Sequence, residues 1–144
     1  MAISFQPNGN LSEGVYIMSL ENFEKQFGVN NYRKMLINGL KLGMSHLKDC
    51  GCKRIFIDGS FVTTKELPGD FDACWDADGV DLDKLESIYG TLLDFSDERK
   101  KQKELYSGEF FPAQAPASED LIYFYFFQQD KDENPKGIVQ INLI

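Results

Sequence analysis

The sequence predicts an α/β domain, a small mixed sheet with helices packed mainly on one side. Three observations point there. Tyr32, Met35, Leu36, Leu40, Gly43 and Leu47 recur at three- and four-residue steps, which is the spacing of one apolar helix face. Residues 54–58 and 70–75 are short, apolar and strand-like, separated by a Gly59-Ser60 turn and a Pro68-Gly69 pair. The chain closes on Ile138 to Leu143, an alternating run that reads as a further strand. At 144 residues this is a single domain, residues 1–144, and aromatics at 13% supply bulk for its core.

Taken in order, residues 1–13 carry Pro7, Asn8, Gly9 and Asn10 and read as an irregular lead-in. Gly14 to Met18 is short and β-prone, and Ser19 is the N-cap of a helix over 19–27 that Gly28 ends. Asn30 or Asn31 opens the next helix, which runs to Asp49 and stops near Gly51. Arg54 to Asp58 is the first core strand, with Ile55 and Ile57 on one face and Phe56 and Asp58 on the other. Thr63, Thr64 and Lys65 follow the Gly-Ser turn as a short helical turn, and Asp70 to Trp75 is the second core strand.

Asp78-Gly79 marks a turn, and Asp81 caps a helix over 82–93 whose buried stripe is Leu82, Leu85, Ile88, Tyr89 and Leu92. A calcium loop is excluded for the Asp76–Asp81 stretch. Setting Asp76, Asp78 and Gly79 at the third, fifth and sixth positions of an EF-hand puts Cys74 and Leu85 where the first and last ligands belong. Residues 97–103 hold the basic cluster of Arg99, Lys100, Lys101 and Lys103, read either as phosphate contacts or as a solvated helix face. Phe110 to Ser118, with Pro112 and Pro116, is expected as a loop. Leu121 to Phe127 has the composition of a strand and, in Ser118, Glu119 and Asp120, the capping residues of a helix.

The chemistry concentrates between Asp58 and Asp72. Successive side chains on a strand alternate faces, so Asp70 and Asp72 share one face while Phe71, Ala73 and Trp75 take the other. Two carboxylates about 6 to 7 Å apart along a strand reach one divalent ion or a pair of ions. Gly59, without a Cβ, lets backbone amides approach a phosphate closely, and Ser60 adds a hydroxyl donor. Asp-x-Asp recurs at 76/78, 81/83 and 130/132, but the 70/72 pair is the one in an apolar strand behind a strand and a Gly-Ser turn.

This stretch, Gly59-Ser60-Phe61-Val62-Thr63 through Asp70-Phe71-Asp72 with nine residues between Ser60 and Asp70, resembles the minimal nucleotidyltransferases of the DNA-polymerase-β-like superfamily. The wording is similar to an uncharacterised bacterial and phage branch, including the upstream Gly14-Val15-Tyr16, Leu20-Glu21-Asn22-Phe23 and Phe27-Gly28. The resemblance implies a nucleotidyltransferase-like sheet and a helix at 121–127. It also implies Mg2+-dependent transfer of a nucleoside monophosphate from an NTP to a protein, RNA or small-molecule acceptor. Asp70 and Asp72 would be the catalytic, metal-holding pair, and Gly59, Ser60 and Lys65 would receive the nucleotide. Asp58 is open to two readings, a further ligand or a turn cap.

A third carboxylate usually sits on the strand after the Asp-x-Asp pair in active members. The polar face of the 138–143 strand offers Gln140 and Asn142 instead, with Asn142 at the expected metal position; an amide coordinates Mg2+ weakly and cannot act as a base. The Arg that follows the Gly-Ser in the minimal antitoxin branch is absent too. Two explanations stay open: a third carboxylate from elsewhere, such as Asp58 or Asp120, or a degenerate site, which gives the alternative of a catalytically degenerate nucleotidyltransferase-like binding protein such as the antitoxin partner of a toxin. A domain that kept the fold without either role is the third reading.

Composition sets the outer bounds. A net charge of −8 argues against non-specific nucleic-acid binding without excluding an RNA acceptor held by a local patch. No stretch has signal-peptide character or the length to span a bilayer, so no membrane role is expected. Cys50, Cys52 and Cys74 form no zinc set and suit reduced thiols in a cytoplasmic protein. His46 is the sole histidine, which removes a multi-histidine metal site; it is expected on the side of a helix.

Overall fold

The computed structural model describes residues 3–144, apart from the side chains of Gly59 and Ser60. Among the described residues, five strands form one mixed sheet: β1 (Val15–Ile17), β2 (Arg54–Asp58), β3 (Phe71–Trp75), β4 (Gly108–Pro112) and β5 (Ile138–Asn142), in the order β1-β5-β2-β3-β4. β2 runs antiparallel to both β3 and β5, whereas β1–β5 and β3–β4 are parallel pairs. The fold is mixed α/β, as expected.

Helices α1 (Leu20–Phe27), α2 (Asn31–Asp49), α3 (Leu82–Tyr89) and α4 (Ser96–Tyr106) accompany one face of the sheet. Local chemistry sets their starts. The side chains of Ser19, Asn30 and Asp81 accept from the backbone amides of Asn22, Arg33 and Lys84, satisfying donors that a first turn leaves unpaired. α2 stops at Cys50 and the chain leaves through Gly51 at φ 88°, a left-handed position that glycine takes without a Cβ clash. Strand alternation sends Ile55, Ile57, Phe71, Ala73, Trp75, Phe110, Val139 and Ile141 into this helix-covered core.

The opposite face carries Phe56, Cys74, Phe111 and Ile138 and is covered by Phe127 and the short helix α5 (Tyr123–Phe126). The aromatic stretch at 121–127 is thus helical for a single turn, with Phe124 edge-on to Phe56 and Tyr123 stacked on Phe111.

Three expectations change. The helical turn after β2 is a 3-10 turn at Gly59–Val62; Thr63 already bridges to Asn10, and Arg33 donates to the carbonyls of Thr63 and Lys65, which a helical turn would use internally. In the 82–93 stretch only Leu85 and Leu92 are fully buried, while Leu82 and Ile88 are 51% and 60% exposed. The helix ends at Tyr89 and gives way to a 3-10 turn at Gly90–Leu93 that carries the buried Leu92, while within the helix only Leu85 is fully buried. The expected loop at 110–118 begins instead as strand: β4 pairs with β3 residue for residue, and Pro112, at its last position, donates nothing to the ladder. The lead-in is anchored as well, since Leu11 is buried and Phe5 bridges to it.

Candidate acidic site at the sheet edge

The register of β2, β3 and β4 places Asp58 opposite Asp72 and Asp72 opposite Glu109, a carboxylate row across three adjacent strands on the face that α5 covers. Asp70 lies just ahead of β3 on the same side as Asp72. Side-chain oxygens of Asp70, Asp72 and Glu109 come within 4.8 Å of one another. The sequence pairing of Asp70 with Asp72 therefore holds, and the strand after the Asp-x-Asp pair does carry a carboxylate. That strand is β4, and the residue is Glu109.

Asn142 does not join them. It stands opposite Arg54, at the far end of β2 from Asp58, about 13 Å along the sheet. Its side chain accepts from Gln140. Lys65 is exposed on the rim, where its backbone carbonyl accepts from Arg33. The sequence-predicted roles of the Gly59 and Ser60 side chains lie outside the described residues; the backbone places the pair at the start of the 3-10 turn, directly after Asp58.

Like charges this close cannot all stay ionised. Burial, then the hydrogen bond and charge of Glu109, then Asp58 and Asp70, push Asp72 up to about 8. Burial and the Glu109 charge raise Asp70 as well. Glu109 is the carboxylate that stays ionised: burial works against it, but the hydrogen bond from Asp72 and the Arg99 and Lys103 charges hold it below its ordinary range. Arg99 Nε lies 2.8 Å and Lys103 Nζ 3.4 Å from Glu109 Oε1. The two cations reach it from α4, whose first turn is left-handed at Asp97, Glu98 and Arg99 (φ 53°, 54° and 61°). Such residues cost about 1–2 kcal/mol each. The turn leaves the Arg99 guanidinium 5.0 Å over the Phe111 ring and against Glu109. The basic cluster is therefore split, with Arg99 and Lys103 on the acidic site and Lys101 paired with Asp94 on the surface.

At the other end of the row Asp58 is buried and its Oδ1 lies 3.2 Å from Lys136 Nζ. Asp58 and Asp72 form part of the wall of an open cleft of about 1370 Å³, bordered by Asn8–Asn10, Thr63–Lys65, Leu121, Phe126 and the 129–136 loop. Sequence reasoning passed over both Glu109 and Lys136. Strand pairing between β3 and β4 was needed to find the first, and the fold-back of a polar turn the second.

The three acidic side chains suit a hard divalent cation. They offer oxygen donors, and the crowding of like charges that raises Asp70 and Asp72 is what a bound cation would relieve. One oxygen from each lies within 4.8 Å of the other two, near enough for a single ion to be shared among them. His46 takes no part: it stacks on Tyr89 and bonds the Tyr106 hydroxyl on the helical side. Cys50, Cys52 and Cys74 are free and buried. No helix among the described residues is long and apolar enough to cross a membrane.

No curated protein and no solved structure matches the chain. One family model matches residues 3–142, so it covers the whole sheet and the acidic row, and the chain belongs to that family, described as a family of unknown function (DUF6932).

Proposed function

We propose that the protein is a nucleotidyltransferase that moves a nucleoside monophosphate from an NTP to an acceptor hydroxyl. The convergence of Asp70, Asp72 and Glu109 beside the Gly59-Ser60 turn carries this reading. Asp70, Asp72 and Glu109 would hold Mg2+, which supplies neutralisation of the phosphate charge when bound. The nucleotide would lie on the Asp58 side, where Asp58 and Thr63–Lys65 line the cleft. The acceptor enters on the Glu109 side. Its oxygen attacks the α-phosphorus, the bond from that phosphorus to the bridging oxygen breaks, and pyrophosphate leaves. The hydroxyl proton leaves to solvent water. Positioning and electrostatics supply most of the rate in such displacements.

The free, buried thiols are those of a cytoplasmic protein, which belongs to the same reading. Calorimetric titration of the four Mg-NTPs into wild type and into Asp70→Asn/Asp72→Asn tests it. Binding to wild type that disappears in the variant is the expected result; a folded wild type that takes up none of the four sinks it.

One observation favours the partner-binding alternative. Tyr125 and Phe126 of α5 are 57% and 41% exposed at the cleft side of the sheet, an aromatic surface of the kind that protein partners cover. A toxin bound there would leave the acidic site without turnover, and the same titration would come out negative.

A further inference from the structure

We propose that Lys136, which the nucleotidyltransferase resemblance does not assign, is the cation that receives the polyphosphate of the substrate, at a subsite next to Asp58. The inference rests on the nucleotidyl-transfer reading and adds to it the group that draws the phosphate chain to one end of the acidic row. Three lysines line the cleft, and two of them, Lys65 and Lys131, are exposed side chains on its rim. Lys136 is different. Its side chain is 15% exposed, its Nζ is 3.2 Å from the buried Asp58, and its backbone amide donates to the Gln128 carbonyl. The preceding residues are pinned too: Pro135 bridges to Gln129, and its carbonyl accepts from the Gln6 side chain. A lysine already held in place loses little rotamer freedom when an anion arrives.

The charge pattern gives the direction. A row of carboxylates repels a polyphosphate, so the anion enters where that charge is cancelled. Both ends of the row carry cations, Lys136 on Asp58 and Arg99 with Lys103 on Glu109. Of the two ends, the structure puts Lys136 and Asp58 in the cleft wall, where Asp72, Asp120, Asp130, Asp132 and Glu133 also lie, so an anion there depends on this lysine and on a bound divalent ion. An ammonium group has three donors. The ammonium pairs with Asp58 Oδ1 by charge at 3.2 Å and has donors to offer phosphate oxygens in the cleft. Asp58 thereby acts as the positioning residue for Lys136.

The test is titration of inorganic tripolyphosphate, with Mg2+ present, into wild type, Lys136→Met and Lys131→Met, alongside Mn2+ binding to each protein by electron paramagnetic resonance. Lys136→Met is expected to weaken tripolyphosphate binding about 10- to 100-fold, as for a lost hydrogen bond to a charged group, while Lys131→Met changes it less than about twofold. Mn2+ uptake stays as in wild type. Because Lys136→Met leaves a buried carboxylate without this cation, Asp58→Asn/Lys136→Met is measured in parallel; the same loss is expected in that charge-neutral pair, and Lys136→Arg restores part of the affinity. Equal losses for Lys131→Met and Lys136→Met, or wild-type affinity in the double variant, overturn the subsite. If wild type takes up no Mn2+, the functional reading falls by itself, and tripolyphosphate binding that still depends on Lys136 would uphold the subsite without it.

Discussion

Asp72 and Glu109 face each other in register across the parallel β3–β4 pair and share a hydrogen bond between their carboxyl groups. Glu109 keeps the charge because Asp72 donates to it and Arg99 and Lys103 stand on its far side, and Asp72 keeps the proton because it is buried against Glu109, with Asp58 and Asp70 beside it.

The first consequence is a pH dependence of the metal-free protein. Asp72 rises from an ordinary 3.8 to about 8 on folding, so between those values the folded chain holds a proton that the unfolded chain has lost. Stability therefore falls as pH rises from about 4 to about 8, by at most about 1.4 kcal/mol per pH unit. Glu109 acts below that window and in the opposite sense: its depressed pKa contributes stability above its ordinary 4.5 that is lost as pH drops through the folded value. Urea denaturation in EDTA at about pH 5 and about pH 8 should show the decline in wild type and a flatter profile in Asp72→Asn. Parallel profiles would refute the assignment.

Divalent ions should reverse the effect. Mg2+ or Mn2+ at about a hundredfold its Kd adds about 2.7 kcal/mol, which for a chain of this size raises Tm by roughly 5–10 °C. Asp72→Asn and Glu109→Gln should each remove most of that shift, and Asn142→Ala should not. A thermal-shift titration decides the matter, and an Asn142→Ala variant that lost the response would restore the ligand expected from the sequence.

Arg33 is fully buried, and its guanidinium donates to the carbonyls of Phe27, Phe61, Thr63 and Lys65 while lying 4.8 Å over the Phe61 ring. It ties the end of α1 and the segment after the 3-10 turn to α2. Arg33→Met strands several buried carbonyls at once and should cost about 3–5 kcal/mol. Chemical denaturation gives the loss, and amide exchange should speed up at residues 61–66 before it does in β2 and β3. A loss under about 1 kcal/mol would mean that water replaces the side chain.

Gly39 marks where α2 meets the end of α4. A Cβ there would lie 1.8 Å from the Tyr106 carbonyl oxygen and 2.5 Å from its carbon, backbone atoms that cannot swing aside. Gly39→Ala should destabilise by about 3 kcal/mol. Gly90→Ala, where a Cβ meets nothing within 4 Å, should be neutral or stabilise by about 0.5 kcal/mol. Denaturation midpoints that moved alike for the two would contradict the packing.

Much of the fold was legible because it depends on neighbours in the chain. Ser19, Asn30 and Asp81 cap their helices through bonds three residues long, and the period-two alternation of residues 70–75 places Asp70 and Asp72 on one face whatever the strand pairs with. The candidate site was half legible for the same reason. By itself the sequence determined the mixed α/β class, the helix starts, the two core strands and the paired aspartates. Tertiary structure alone decided that Gly108–Pro112 is a strand, and so that the third carboxylate is Glu109 and not a residue of β5. It also decided that Lys136 folds back onto Asp58. Both depend on partners far away in sequence. A five-residue run ending in proline has little β signal of its own, and its ladder with β3 exists only once the sheet has assembled.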